Sequence, residues 1–139
     1  MFRNTFCMII VFVAFSGCGS EPRVVEDAAN LNVDFDWTEK SRCSTVSPPI
    51  TVANVPQQTR YLKVTIKDLD MPSYNHGGGE FPYNGSSIIR EAAISSYYRG
   101  PPPPYGVVHS YELTVQALGP DRKLVLGQGK KVNRYPPER

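Results

Sequence analysis

Pro101, Pro102, Pro103 and Pro104 follow Gly100 without a break. Proline has no backbone N–H and a fixed φ, so this run is extended, cannot continue a helix and cannot lie inside a sheet. By itself it is no more than a rigid spacer. The segments around it alternate with period two. Leu31, Val33, Phe35 and Trp37 fall on one side of a strand, with Asn32, Asp34 and Asp36 on the other. Residues 61–67 alternate likewise, with Leu62, Val64 and Ile66 toward a core, and this is the best candidate for a central strand. The same parity carries on to Asp68 and Asp70, so two carboxylates follow the core-facing register where the strand gives out. After the prolines, residues 107–118 give the longest strand signal and place His109, Tyr111, Leu113, Val115 and Ala117 on one face.

A hydrophobic share of 40% is enough for one globular core, and 13 prolines with 11 glycines point to a turn-rich β architecture rather than a helix bundle. Pro48, Pro49 and Pro56 around residues 50–53 predict an edge segment. Residues 74–79, with His76 before three glycines, read as a long loop. Residues 86–93 are the only stretch able to hold a short helix, and residues 124–126 predict a last short strand. Arg122, Lys123, Lys130, Lys131, Arg134 and Arg139 crowd the end of the chain against Glu138 and read as a solvated edge or tail. Net charge is +2 and no basic block interleaves with aromatic residues, so a nucleic-acid partner is excluded.

Residues 1–17 carry Arg3, an apolar run too short to span a bilayer, and then Phe15-Ser16-Gly17 before Cys18. This ending resembles the bacterial lipoprotein lipobox, which implies cleavage at residue 17, acylation of Cys18 and a palmitate-type anchor. Each buried acyl methylene contributes about 0.8 kcal/mol, so several chains hold a small domain on a membrane. Gly19 at the next position implies the outer membrane, facing the periplasm. An ordinary secretory signal cut nearby is the alternative. Residues 18–30 read as a tether and residues 31–139 as the folded domain. Cys43 is then the remaining thiol, expected to be buried and inert, with intermolecular pairing left open.

Asp68, His76, the Gly100–proline wall, His109 and Tyr111 together offer donors, an acceptor and a flat wall, which suits a small anionic or zwitterionic headgroup. A lone histidine at a strand end is more often structural, and a glycine triplet alone is weak. Asp68, His76 and His109 have metal-ligand chemistry, but spacing does not show that they converge. There is no paired-cysteine spacing, no GxSxG or HExxH motif and no Walker loop, and Ser86, Ser87, Ser95 and Ser96 lie in no signature turn. The expectation is a binder without catalysis, cofactor or metal.

In order, Ser47-Pro48-Pro49-Ile50, Asp68-Leu69-Asp70-Met71-Pro72, Asn75-His76-Gly77, Tyr98-Arg99-Gly100-Pro101 and His109-Ser110-Tyr111 resemble the phosphatidylethanolamine-binding protein family, with a closer likeness to its bacterial, Raf kinase inhibitor-like branch. The resemblance covers roughly residues 31–120. It implies a mainly β fold of two antiparallel sheets with Greek-key connections and a short peripheral helix. It also implies a pocket for phosphate-like anions and phospholipid headgroups formed by Asp68, His76, Gly100, Pro101, His109 and Tyr111. Members are implied to be binders or modulators of protein partners, so inhibition of a periplasmic protease or kinase-like partner is the alternative function. Leu69 stands where the family carries proline, and Ser110 where it carries arginine.

Overall fold

The computed structural model describes residues 21–94 and 97–137. Residues 1–20, which include the expected signal segment and Cys18, lie outside the described residues, as do Ser95, Ser96, Glu138 and Arg139. The chain runs β1 (Arg23–Asn30), β2 (Asn32–Asp34), a 3-10 turn (Glu39–Ser41), β3 (Ile50–Ala53), β4 (Tyr61–Asp68), β5 (Asn75–Pro82), β6 (Ile88–Ile89), β7 (His109–Leu118) and β8 (Leu124–Tyr135). One sheet has the order β1-β8-β7-β4-β5 and the other β2-β3-β6. All neighbours are antiparallel except β1, which joins β8 in parallel.

Alternation decides which side of each strand is buried. In β4, Leu62, Val64 and Ile66 are buried and Asp68 takes the next inward position. In β7, His109, Tyr111, Leu113, Val115 and Ala117 point the same way. Ile50, Val52 and Ile89 of the small sheet close on this face, and Leu31, Phe35, Trp37, Ile94 and Tyr98 complete a single core. Each fully buried aliphatic or aromatic side chain contributes about 1.5–3 kcal/mol, so the two sheets are held face to face by this layer. Leu31, Phe35 and Trp37 are buried as their alternation predicts, although the strand itself shortens to β2.

The structure corrects several local expectations. Residues 23–30 are a strand of the large sheet, so the ordered domain starts inside the segment expected to be a tether. Val25, Ala28 and Ala29 are only half-buried, which leaves little periodicity to read. Residues 86–93 form β6 and turns, not a helix, because Ile88 and Ile89 pair with Thr51 and Ile50. β3 is therefore the middle strand of its sheet rather than an edge. Residues 75–82 are strand β5, not a loop. The basic end of the chain is the long strand β8, flanked by β1 and β7 and far beyond residue 126. Its cations are dispersed into ion pairs, Lys130 with Glu112 at 2.9 Å and Lys131 with Asp34 at 3.2 Å. Cys43 is exposed, in a turn with φ 52°, rather than buried.

The chain passes from one sheet to the other over the glycines of β8. Leu31 N–H donates to the Gln128 carbonyl at 3.0 Å, and a Cβ on Gly129 would lie 2.1 Å from the Leu31 carbonyl oxygen. Nothing but hydrogen fits there. Gly129→Ala is expected to destabilise the fold by about 2–3 kcal/mol in urea unfolding. An unchanged midpoint would show that β1 and β2 do not cross β8 at this point.

Candidate functional site

β4 and β7 bring Asp68 opposite Tyr111, both inward and both at the same end of the sheet. Asp68 is 2% exposed. Its Oδ1 accepts the backbone N–H of Asp70 at 2.8 Å and of Met71 at 2.9 Å, and its Oδ2 accepts His109 Nδ1–H at 2.8 Å. Burial pushes this carboxyl up, but the hydrogen bonds from His109, Met71 and Asp70, with the charge of His109, outweigh burial and hold it below the usual 3.8. Asp68 is thus an ionised, hydrogen-bonded carboxylate under the core. Asp70 caps the same turn by accepting Ser110 N–H at 2.7 Å, and Leu69 N–H donates to the Ser110 carbonyl at 2.8 Å. The proline that the resembled family carries at position 69 has no such N–H, so Leu69 adds a bond to the turn.

His76 reaches the same carboxylate from β5 and is 1% exposed. Its Nδ1 lies 2.7 Å from the Arg99 carbonyl, and Arg99 N–H donates back to the His76 carbonyl at 3.1 Å. A carbonyl only accepts, so Nδ1 carries the proton. His76 Nε2 is buried without a hydrogen bond, 3.8 Å from Asp68 Oδ2. The glycine after it has a reason: Gly77 has φ 84°, and a Cβ there would lie 2.4 Å from the Tyr97 carbonyl oxygen.

Tyr111 Oη and Trp37 Nε1 are also buried without partners. Burial, with the Asp68 charge second, raises the Tyr111 hydroxyl well above its ordinary value, so it remains a protonated donor. The rings form one cluster. Trp37 and His76 both meet Tyr111 edge-on, at 5.7 Å and 5.2 Å between centroids, and His109 stacks on it at 6.2 Å. Tyr74 covers His76 from outside at 4.7 Å.

Asp68, His76, His109 and Tyr111 are therefore brought together as the sequence implies. Gly100 and Pro101 follow Arg99 in the chain. Their own contacts go to the 41–44 turn, where Gly100 N–H donates to the Ser44 carbonyl at 2.8 Å and Pro101 accepts Cys43 N–H at 3.2 Å. Trp37 and the Arg99 carbonyl were not among the expected site residues. The alternation placed Trp37 on the core side but gave no sign of its unpartnered indole. The Arg99 contribution is backbone, which no residue type reveals. Asp68, Asp70 and His109 hold ligand atoms within 4.8 Å of one another, the spacing a cation needs. The Asp68 oxygens and Asp70 Oδ2 already accept N–H bonds within this turn, so no metal is assigned to them.

No family model matches the sequence, and no curated protein matches it significantly. Solved structures do resemble the fold. YbcL of Escherichia coli, described as a new member of the mammalian PEBP family, aligns with a TM-score of 0.61 over 80% of this chain and 100% of its own, at 16% identity. CT736 of Chlamydia trachomatis, described as a phosphatidylethanolamine-binding protein homologue, gives 0.58 over 81% and 99%, at 18% identity. The architecture is thus a mainly β fold like that of these proteins.

Asp68→Asn leaves His109 and two amides without their anion and is expected to cost about 3 kcal/mol at neutral pH. Because the folded-state value of Asp68 is depressed, this contribution is complete above the unfolded value near 3.8 and is lost as pH falls through the lower folded value. Urea stabilities of the two proteins should therefore converge in acid. A gap that does not change with pH would mean that Asp68 is not ionised in the fold.

Proposed function

We propose that this chain binds a small oxyanion, a phosphoryl or carboxylate group such as a phospholipid headgroup presents, without turning it over. The observation that carries the reading is the set of buried polar atoms without a hydrogen bond, Tyr111 Oη, Trp37 Nε1 and His76 Nε2, on rings that pack on one another next to the Asp68–His109 pair. A buried polar group left unpaired costs about 1–3 kcal/mol, so a ligand whose oxygens meet these atoms recovers that cost. His109, oriented through Nδ1 by Asp68, presents Nε2 as a further contact, and the Asp68 charge suits an ammonium group on a zwitterionic headgroup. The description of CT736 as a phosphatidylethanolamine-binding protein homologue supports the same ligand class.

The lipobox-like Phe15-Ser16-Gly17-Cys18 supports a second part of the reading: a chain anchored by acyl groups on Cys18, with Gly19 directing it to the outer membrane and the domain facing the periplasm. A modulator of a protein partner is the other reading. It is favoured by exposed Leu69, Met71 and Tyr74 after β4 and exposed Tyr105, Val107 and Val108 before β7, all on the two loops that flank the site.

Tyr111→Phe separates binding from folding. It removes an oxygen that forms no close hydrogen bond in the fold but interacts with the Asp68 carboxylate, so stability should change by less than about 1 kcal/mol, while affinity for phosphate or phosphoethanolamine should fall about tenfold in calorimetric titration. Equal affinity, or no heat from wild type with phosphate, phosphoethanolamine or acetate, overturns the reading. For the anchor, cells fed labelled palmitate should label the wild-type chain in the membrane fraction and leave Cys18→Ala unlabelled. Label on both chains or on neither removes the lipoprotein assignment.

A further inference from the structure

We propose that the domain stands on its membrane with the Asp68–His109 end turned away from the anchor, so that this end meets solutes of the aqueous phase and not the headgroups of the bilayer that holds it. This rests on the reading of Cys18 as the acylated residue and specifies the source of the ligand. The strand registers fix the two ends of the molecule. His109 lies opposite Tyr135, and Asp68 opposite Tyr111, at one end of the large sheet. Arg23 lies opposite Leu124 at the other end, where its N–H donates to the Lys123 carbonyl at 2.8 Å. Glu21 reaches Lys63, near the start of β4 at that same end, at 3.5 Å. The chain from the anchor therefore enters the fold at the end remote from the site.

Length decides the orientation. From Leu124 to Tyr135, β8 spans about 36 Å at about 3.3 Å per residue. Residues 18–22, fully extended, cover about 18 Å. With its site end turned onto the anchoring bilayer, the domain would hold Arg23 about twice as high as this chain can reach. The outer face of the large sheet is polar, with Lys63 paired to Glu21 and Lys130 to Glu112, so it offers lipid neither a broad apolar area nor those two cations. Exposed Leu69, Met71, Tyr105, Val107 and Val108 lie instead on the loops at the site end, the part of the domain carried furthest from the anchor. Detaching β1 would lengthen the tether to residues 18–30, about 45 Å, so the pairing of β1 with β8 is what sets the orientation.

Cys43 is a native reporter of the site end. It is exposed, its N–H donates to the Pro101 carbonyl, and the neighbouring Arg42 guanidinium lies 4.4 Å from the centre of the Tyr105 ring. With Cys7 in the cleaved segment and Cys18 acylated, Cys43 is the thiol that takes a fluorophore. The acylated chain labelled at Cys43 is placed in phosphatidylethanolamine–phosphatidylglycerol vesicles that carry a headgroup-attached quencher. Lys123→Cys in a Cys43→Ser background puts the same label at the anchor end. Quenching should be at least about threefold weaker at 43 than at 123, because the labels sit at opposite ends of a strand about 36 Å long. Equal or stronger quenching at 43, from a domain lying on its side or inverted on a released β1, overturns the proposal. Phosphoethanolamine is also titrated into the acylated chain in these vesicles and in maltoside micelles, which contain no phosphate. The two affinities should agree within about twofold, and a greater loss on vesicles shows the bilayer's own headgroups competing for the site and overturns the proposal. No binding in either medium removes the oxyanion reading alone, and the two labels still decide the orientation. A chain without acyl groups overturns the anchor and the orientation together.

Discussion

The Asp68 carboxylate organises everything at this end of the molecule. It is an ionised group in a nearly closed position, which is tolerable only because three N–H groups converge on it, two from its own turn and one from His109. Those three bonds do different work. The amide bonds fold the 69–71 turn back on the end of β4, and the imidazole bond ties that turn to β7 across the sheet. The Leu69 and Asp70 contacts to Ser110 extend the β4–β7 ladder past its last paired residues. Two loops bearing exposed apolar side chains are thereby set on either side of one charge.

The second histidine depends on a different constraint, the close approach of backbones. β5 is a sheet edge, and its glycines let a neighbouring segment lie against it. Gly77 admits the Tyr97 carbonyl and Gly78 sits close to the Val64 carbonyl, distances that no side chain permits. The 97–100 segment therefore reaches His76 and exchanges two hydrogen bonds with it. The prolines that follow hold that segment against the 41–44 turn, with Gly100 fitting where a Cβ would meet the Ser41 carbonyl at 2.2 Å. Seen this way, the proline run acts one step away from the ligand, by fixing the carbonyl that fixes the His76 proton.

How much could be read in advance depended on whether side-chain type or chain pairing carried the information. Leu62, Val64 and Ile66 and the His109-to-Ala117 row were legible because burying one face imposes period two. The parity of Asp68 with that row already put carboxylate and histidine on one side. By contrast, β1 has half-buried small residues and borrows its order from β8, so its sequence resembles a linker. β6 is two isoleucines whose strand character exists only through β3. The lysines of β8 looked like a tail because their partners, Glu112 and Asp34, lie far away in the chain.

The sequence alone determined a mainly β chain and its principal buried faces, and it singled out Asp68, His76, His109 and Tyr111 as candidates, since alternation and residue chemistry are local properties. Only the tertiary structure decided that the order of the large sheet begins at residue 23, that β8 lies inside it, and that Gly100 and Pro101 face the 41–44 turn. It alone also disclosed the orphaned atoms of Trp37, Tyr111 and His76. Whether a buried polar atom has a partner depends on what distant backbone arrives beside it, and no local pattern encodes that.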